Sequence, residues 1–503
     1  MFWSPDQSVV PSNQHLAVSA FLAFYGVLVL VMGLWARSLA LQVSGQTLTR
    51  SVARFNKVMS GARMLVPAWL GVGLYVLGWG DVVLQILSPI NRWRLELPGL
   101  VLGTLPALLT WAGLWWSQFP ADRALREQSL LVQFDQDLPV HSPPGFWSYF
   151  FSNLRLQLFF TLVPILLIVG LRDLLFIGLR TFGVNSTTGG WIEAVVSIGA
   201  AVLILLFSPE LLRRVLRTRP LPDSPLRVRL EALCTRHKVR YREILLWHTD
   251  HNMGNAAVMG LMPHVRYVLL SDLLLETMTD DQIEAVFAHE LGHVVHRHMG
   301  WYVVLMLTLL LVVPGPGQLL HNAVVALGLP VWMPADLVVS VVVTAGFLAS
   351  FGFLSRRFER QADVFAARTM EAVRSAGARP TVTPVVSASA GGTAVLSIPS
   401  LAVESAAMSG EATPARSHVG RYGASLFASA LHRVAMINNI PVAARSWCHG
   451  SIETRMNYLA DLSHDPGATH RFDRLMTRLH VVVLLILGTS ALWVALDTIW
   501  AMS

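Results

Sequence analysis

The run His289-Glu290-Leu291-Gly292-His293 has the residue types and spacing of a hydrolytic metal centre. Residues four apart on a helix share one face, so both imidazoles can reach a single metal ion. Glu290 then lies towards the open side of that ion, where a carboxylate can take a proton from an activated water. Three protein ligands and one open position are typical of a catalytic zinc site. The run therefore predicts a hydrolase and requires a third ligand from elsewhere; the alternative is an amphipathic helix with incidental histidines.

Two further histidines, His296 and His298, follow on the same predicted helix. A helix rises about 1.5 Å per residue, so His296 would lie about 10 Å from His289, too far to share its ion. The longer zinc motif with a third histidine also needs a glycine turn that this segment lacks. We expect both histidines to lie at the membrane interface rather than to bind metal.

A better third ligand is found in the segment from Ser355 to Asp363, which reads SRRFERQAD. Glu359 and Asp363 are four residues apart, so on a helix they share a face. Glu359 can bind the ion while Asp363 accepts a hydrogen bond from a ligand imidazole, as carboxylates often do around zinc. The alternative is a solvated helix beside the membrane with Arg–Glu pairs on its surface.

The composition indicates an integral membrane protein. Of the 503 residues, 53% are hydrophobic and 14% are charged, with a mean hydropathy of +0.52, whereas soluble domains carry about a quarter charged residues. Two cysteines, Cys234 and Cys448, are too few for a disulfide scaffold. A spanning helix needs about 20 mostly apolar residues. Segments that approach this requirement begin near Leu16, Met64, Leu97, Leu156, Trp191, Trp301, Leu337 and His480.

The distribution of Lys and Arg predicts how these spans are oriented. The connection after the first span is basic, with Arg37, Arg50, Arg54, Lys57 and Arg63, whereas residues 181–190 contain no Lys or Arg. Rich and poor connections alternate, and the rich ones are cytoplasmic under the positive-inside rule. Both termini then lie outside, and residues 208–299 lie in the cytoplasm. The formal charge of +7 has the same origin, and without a nucleic-acid-binding motif we expect no nucleic-acid partner.

Charged residues also fall within or at the edges of the apolar spans: Asp81, Arg172, Asp173 and Glu193. A charge inside a membrane is costly and usually faces a cavity or a partner. Two interpretations stay open here. The helices enclose a water-filled chamber, or the charges are paired locally, for example Arg172 with Asp173.

The residue pattern outlines a small α+β domain between the apolar spans. Helices are expected over 224–237 and 281–298, the second capped by Thr279 and Asp280, and strands over 243–247, 255–260 and 264–270. Residues 374–418, rich in Ala, Ser, Thr, Pro and Gly, are expected to form a flexible insertion.

The predicted fold class is a mainly α-helical polytopic membrane protein of about eight transmembrane helices with a small cytoplasmic α+β zinc-protease domain. The predicted domains are an N-terminal bundle of five spans (1–207), a catalytic core with two more spans (208–373), the insertion (374–418), the C-terminal part of the catalytic domain (419–478) and a last span (479–503).

The HELGH run, followed after two spans by SRRFERQAD, resembles the gluzincin membrane metalloproteases, the family of CAAX prenyl endoproteases and HtpX-type proteases. Residues 255–260 resemble the family's strand beside the bound peptide, and Cys448-His449-Gly450 with Arg455 keeps its histidine-to-arginine spacing. The resemblance covers about residues 209–459, and five preceding spans are closer to the CAAX protease branch. The sequence departs from the family at Gly450, where proline is usual, and in its insertion and last span.

The resemblance implies a complete site for peptide-bond hydrolysis at the cytoplasmic face of a lipid bilayer, acting on a peptide or membrane-protein substrate. The implied zinc ligands are His289, His293 and Glu359. The implied general base is Glu290, and Asp363 would hold a ligand. The substrate backbone would be bound by Asn255, Ala256 and Ala257. The oxyanion would be stabilised, or the ligands oriented, by His449 and Arg455.

Two other classes of function account for parts of the sequence. A membrane scaffold or chaperone could retain the fold without activity, although the complete ligand set argues against it. A transporter would explain the spans and the buried charges, but it predicts inverted repeats or paired broken helices. The sequence has no evident internal repeat.

Overall fold

The computed structural model describes residues 13–91, 95–134, 142–155, 160–183, 186–251, 253–312, 326–327, 335–375, 418–438 and 440–502. These residues form two compact units. The first unit contains residues up to 220 together with 242–254 and 262–277, and the second unit contains 221–241, 255–261 and the residues from 278 onwards. Every predicted site residue belongs to the second unit.

Helices dominate both units. In chain order the elements are α1 (Gln14–Gln42), α2 (Leu48–Tyr75), α3 (Trp79–Leu87), α4 (Glu96–Phe134), α5 (Phe146–Asn153), α6 (Phe160–Thr181), α7 (Ser186–Val215), β1 (Thr218–Pro220), α8 (Pro225–Arg236), β2 (Glu243–Trp247), β3 (Ala256–Met259), β4 (Tyr267–Ser271), α9 (Asp272–Thr277), α10 (Asp280–Val295), α11 (His298–Val312), α12 (Ala335–Ser375), α13 (Arg421–Ile437), α14 (Ile452–His464) and α15 (Pro466–Met502).

The first unit has its core where α1 packs against α4. Phe21 is fully buried beside the rings of Trp69 and Trp79. The indole N–H of Trp79 donates to the carbonyl of Gly103 at 2.9 Å, so this large ring is buried with its polar atom satisfied. In the same unit β2 runs antiparallel to β1 and parallel to β4.

The second unit is organised around α10, which packs against α12, α13 and β3. On α12 the residues Phe358, Ala362 and Ala366 recur every fourth position and are fully buried, so one continuous face of this helix is removed from solvent. Because this face is packed, Glu359 and Asp363 of the same stretch have fixed positions along α12 relative to α10.

Several helices are long and apolar enough to cross a membrane. They are Gln14–Gln42, Glu96–Leu131, Leu162–Thr181 and Pro466–Leu496, and in the last one none of the apolar window is buried within the protein. These correspond to the spans expected near Leu16, Leu97, Leu156 and His480. The span expected near Met64 is a pair of helices, Arg50–Tyr75 and Trp79–Leu87, bent by 68°. The total of eight spans stays a prediction, because α11 is followed directly by residues outside the described ranges.

The basic residues after the first span lie on helices, and not in a loop as expected. Arg37 lies within α1, and the other four, from Arg50 to Arg63, lie within α2. The two helices are 29 and 28 residues long, or about 42–44 Å at 1.5 Å per residue, which exceeds the roughly 30 Å hydrocarbon core. Each helix therefore continues beyond its apolar segment and carries the charges with it.

The buried charges of α6 are paired locally. The carboxylate of Asp173 accepts hydrogen bonds from the backbone N–H groups of Glu96 and Leu97, at 3.0 and 2.7 Å, at the start of α4. Arg172 pairs with the side chain of Glu96, and not with Asp173 as suggested by their adjacency. The pairing interpretation holds for these two charges. The side chain of Glu193 lies outside the described residues.

Residues 208–299 follow the sequence prediction closely, but they also contain two short elements that were not predicted, β1 and α9. Strand β2 has the expected bounds, whereas β4 begins three residues late because Pro263–Val265 forms a turn of 3-10 helix. The expected helix 281–298 is divided in two, since α10 ends at Val295 and Arg297 has a left-handed φ of +56° before α11 begins at His298. Most of the expected insertion, residues 376–417, lies outside the described residues.

Candidate metal centre

Helix α10 begins with a reciprocal cap. The Thr279 hydroxyl accepts from the backbone N–H of Gln282 at 3.4 Å, and the Gln282 side chain accepts from the N–H of Thr279 at 3.3 Å. Asp280 and Asp281 fill the first turn, where negative charge is favoured by the helix dipole. This start fixes the rotation of α10, so His289, Glu290 and His293 occupy defined positions between about two and four turns later.

Gly292 allows α10 and α12 to approach each other closely. A Cβ atom at this position would lie 3.0 Å from the Cα of Ala362 and 3.2 Å from the ring of Phe365. The missing side chain thus brings the backbone of α12 against the turn of α10 that carries the two histidines. Glu359 and Asp363 flank Ala362 by three residues and one residue, so this contact also sets their distance from the histidines.

The three predicted ligands lie together. The Nε2 atoms of His289 and His293 are 3.3 Å apart, and the carboxylate oxygens of Glu359 lie 3.6 Å from the first and 3.7 Å from the second. In a tetrahedral zinc site with bonds near 2.0–2.1 Å, neighbouring donor atoms are about 3.3 Å apart. The donor set and its spacing therefore fit a zinc ion. Among the described residues, these three are the group that could hold a metal ion.

Asp363 and Arg455 support the first histidine. The Oδ1 atom of Asp363 lies 3.0 Å from His289 Nδ1, on the side of the ring away from the other ligands. The guanidinium of Arg455 donates to both oxygens of Asp363, at 2.8 and 2.5 Å, and lies 3.5 Å from Glu359. With Nδ1 engaged by a carboxylate, the Nε2 lone pair of His289 is directed to the ion position.

The electrostatics of the two imidazoles differ. Burial alone would lower the pKa of His289, but the carboxylates of Asp363 and Glu359 raise it to about 9. Burial and the neighbouring His289 lower the pKa of His293 to about 4. For Glu359, burial opposes ionisation, yet contacts with His289 and His449 hold the pKa of its carboxyl well below the usual value. The site therefore offers a carboxylate and one neutral imidazole, and the other imidazole must release a proton to bind a metal ion.

Glu290 lies beside this group without joining it. Burial raises the pKa of its carboxyl to about 7, and a hydrogen bond from the backbone N–H of Val258 acts in the opposite direction. A carboxyl with a pKa near neutrality is suited to exchange protons with a reacting group. The contact also links the carboxylate to β3, the strand that follows Asn255. Of the three expected substrate-binding residues, Asn255 is exposed, Ala257 is half-buried and Ala256 is buried.

His449 approaches the site from the loop between α13 and α14. Its Nδ1 atom lies 2.9 Å from Glu359 Oε1, while 58% of its side chain remains exposed. Ser446 and Gly450 exchange two backbone hydrogen bonds of 3.0 Å and close this loop. Gly450 has a φ of +76°, a value that proline, fixed near −65°, cannot adopt. Glycine adopts this conformation readily, so the departure from proline fits the loop that carries His449.

His298 was missed by the sequence analysis, which expected an interfacial position for it. Its side chain is only 1% exposed, and its Nδ1 lies 2.8 Å from the Nδ1 of His293. Its Nε2 lies 3.0 Å from Gln361 Oε1 on α12. The expectation failed because a continuous helix would turn His298 away, whereas the break at Arg297 returns it to the metal side. No glycine or proline at this position gave a signal of the break.

Part of this chain is similar in sequence to known proteases. Residues 222–413 match the model of peptidase family M48. A CAAX prenyl protease 1 homolog from Arabidopsis thaliana is 31% identical over 159 residues, covering 30% of this chain and 38% of that protein. A protease HtpX homolog from Aeropyrum pernix is 31% identical over 130 residues, covering 25% of this chain and 40% of that protein. The predicted resemblance is confirmed by these matches, which span well under half the length of the relatives.

Among solved structures, a crystal structure of Ste24p from S. mikatae is similar to this chain. The TM-score is 0.45 and the sequence identity is 15%, over 89% of this chain and 99% of that chain.

Proposed function

We propose that the chain is a zinc-dependent endopeptidase that hydrolyses peptide bonds at the cytoplasmic face of a membrane, a proposal supported by the match of residues 222–413 to the model of peptidase family M48. The observation that carries the proposal is the convergence of His289, His293 and Glu359, whose donor atoms lie within 4.8 Å of one another. Zinc, when bound by these three side chains, supplies a Lewis acid that polarises a carbonyl and makes water more acidic.

Glu290 acts as the general base in this proposal. Its carboxylate adjoins the ligands on the same helix, and its pKa of about 7 lets it accept a proton from the attacking water and return it to the leaving amine. Two neighbours orient the site. Arg455 holds Asp363 against His289, and the exposed His449 is available to donate a hydrogen bond to the oxyanion that forms from the scissile carbonyl.

The substrate is an extended peptide segment that lies along β3. A strand can bind such a segment by pairing with it through backbone hydrogen bonds, and the hydrogen bond from Val258 to Glu290 keeps β3 within reach of the base. Asn255 and the two alanines after it would face the substrate backbone. The apolar helix Pro466–Leu496 is long enough to cross a bilayer and belongs to the same unit as the site, so it would hold the site near the membrane. The basic clusters favour the cytoplasmic side.

The test is a Glu290→Gln variant of the full chain, purified in detergent and compared with wild type. We expect one zinc ion in both proteins, and a fall in the rate of peptide cleavage of about 10²–10⁴-fold in the variant, the usual contribution of a general base. Glu231→Gln on α8 is the matched control, since this acid pairs with Arg227 far along the sequence from the metal motif. Equal cleavage by Glu290→Gln and wild type would sink the mechanism.

A catalytically inactive scaffold or chaperone is the competing function, and it is not favoured, because the ligands and Glu290 are all retained. It predicts bound zinc and no cleavage of any peptide by the wild type. Quantitative proteomics of membranes carrying wild type or Glu290→Gln separates the two cases, since only an endopeptidase leaves uncut substrates enriched with the variant.

A further inference from the structure

His293 and His289 are supported in different ways. His289 contacts the carboxylate of Asp363, whereas His293 contacts another imidazole, His298, which in turn contacts the amide oxygen of Gln361. The second arrangement is therefore a series of hydrogen-bonded neutral side chains. Neither His298 nor Gln361 belongs to the site residues implied by the family resemblance.

The hydrogen bonds that join His293, His298 and Gln361 have a single consistent direction. The Oε1 atom of Gln361 can only accept, so His298 Nε2, 3.0 Å away, must carry a hydrogen. A neutral imidazole has one N–H, so His298 Nδ1 is then an acceptor. His293 Nδ1, 2.8 Å from it, must donate. The hydrogen of His293 is thereby placed on Nδ1, and its Nε2 lone pair is left for the metal.

Burial keeps His298 in the neutral form that this direction requires. The residue is 1% exposed and stacks on Phe358 with ring centroids 4.3 Å apart and planes within 6°. An imidazolium in this position would be a buried charge facing another histidine, which is costly. A doubly protonated His298 would also force His293 to place its hydrogen on Nε2, where it would block the ion.

We infer that His298 and Gln361 are positioning residues that fix the tautomer and the ring orientation of His293 for zinc binding. The inference rests on the proposed metal site and deepens it. The helix break makes the contact possible: α10 ends at Val295, and the left-handed Arg297 redirects the chain so that a residue only five positions after His293 reaches its Nδ1 atom.

The test measures zinc retention directly rather than activity. The full chain is loaded with zinc in detergent and mixed with a chromophoric chelator, and both the release rate and the apparent affinity are recorded. Gln361→Leu removes the acceptor, and His298→Phe keeps a ring on Phe358 but removes both nitrogens. We expect each to lose zinc about 10–100-fold more readily, the usual effect of removing a group that supports a ligand.

Two further variants distinguish positioning from packing. Gln361→Met keeps the length of the side chain and adds no charge, but it lacks the acceptor oxygen, so it should lose zinc as readily as Gln361→Leu. Thr369→Val removes another buried polar contact from α12, the one with His237, and should leave zinc release unchanged. The melting temperature of each metal-stripped variant reports any loss of packing separately.

The outcomes are distinct. If Gln361→Leu and His298→Phe retain zinc as well as Thr369→Val does, the inference is wrong while the proposed function stands. The inference is equally wrong if Gln361→Met holds zinc as well as the wild type does. If the wild-type chain itself binds no zinc, both the inference and the proposed function fail.

Discussion

Arg455 donates two hydrogen bonds to the carboxylate of Asp363, from Nε to Oδ2 at 2.8 Å and from Nη2 to Oδ1 at 2.5 Å. The pair is deeply buried, with 11% of the arginine and 1% of the aspartate side chain exposed. Asp363 Oδ1 also lies 3.0 Å from His289 Nδ1. The guanidinium of Arg455 therefore holds the Asp363 carboxylate in place, and this carboxylate in turn orients the ring of His289. Of the two expected roles for Arg455, this contact favours the orientation of ligands over direct contact with the oxyanion.

The first prediction concerns Arg455. Arg455→Met leaves the Asp363 carboxylate buried without its partner, and we expect it to lower the free energy of unfolding by about 3–5 kcal/mol. Arg455→Lys keeps the charge but loses the planar fork, so it should fold and bind zinc about 10-fold more weakly. Thermal unfolding and zinc titration of both variants provide the measurements. A Met variant as stable as wild type would contradict the buried pair.

The second prediction concerns the close approach at Gly292. Gly292→Ala places a methyl group 3.0 Å from the backbone of Ala362, so α10 and α12 must separate. We expect a loss of about 1–3 kcal/mol in the free energy of unfolding, as for other overpacked cores, and weaker zinc binding because Glu359 moves away from the histidines.

Gly300→Ala is the matched control for this change. A Cβ at Gly300, also helical, meets nothing within 4 Å, and alanine has a higher helix propensity than glycine by about 1 kcal/mol. The control should therefore be neutral or stabilising. If both alanine variants behave alike, the proximity at Gly292 is not what sets the ligand geometry.

Local patterns were sufficient to predict much of the second unit. Thr279 followed by two acids predicted where α10 begins, and the spacing of His289, His293, Glu359 and Asp363 predicted which side chains meet. Such predictions succeed because residues four positions apart on a helix always lie on the same face. Strand β2 was predicted with its correct bounds because its apolar run is short and clearly delimited.

The remaining features depend on contacts that no local pattern encodes. The helix break at Arg297 has no glycine or proline to mark it, so the role of His298 could not be seen. The partner of Arg172 is Glu96, 76 positions away, because α6 lies against the start of α4. Arg50 and Arg63 were expected in a loop, but both lie on α2, because this helix extends past its apolar segment.

The third prediction concerns the pH dependence of zinc binding. The pKa of His289 is raised to about 9 by Asp363 and Glu359 despite its burial, and zinc binds only the neutral imidazole. Zinc must therefore displace a proton at neutral pH, so the affinity should rise with pH and level off above about 9. Calorimetry in two buffers of different ionisation enthalpy should show about one proton released per ion at pH 7.5.

Asp363→Asn provides the control for this proton. Without the carboxylate that raises the pKa of His289, proton release at pH 7.5 should become much smaller.

The stability of the metal-stripped wild type should change with pH in the opposite direction to the zinc affinity. The contribution of protonated His289 is complete below its ordinary pKa of 6.5 and is lost as the pH rises through about 9. Release of a full proton by Asp363→Asn would contradict this assignment.

The last prediction concerns Glu210 in the first unit, where α7 leads into the strands. Its carboxylate accepts hydrogen bonds from Arg213 and from the hydroxyl of Tyr267, and it lies 3.4 Å from Arg242. The hydrogen bond from Arg213, more than any other contact, lowers the pKa of Glu210 to about 2. A carboxyl with a lowered pKa stabilises the fold above its ordinary value of 4.5 and loses this effect as the pH falls towards 2.

Glu210→Gln should therefore be less stable than wild type at pH 6 by about 1–3 kcal/mol, the usual contribution of hydrogen bonds to a charged group. The difference should shrink as the pH is lowered through 4 and 3, because the wild-type carboxyl becomes neutral as well. Thermal unfolding in detergent across this range measures it, with Glu231→Gln as a control for an exposed acid. A difference that stays constant with pH would mean that packing, and not the charge of Glu210, joins α7 to β4.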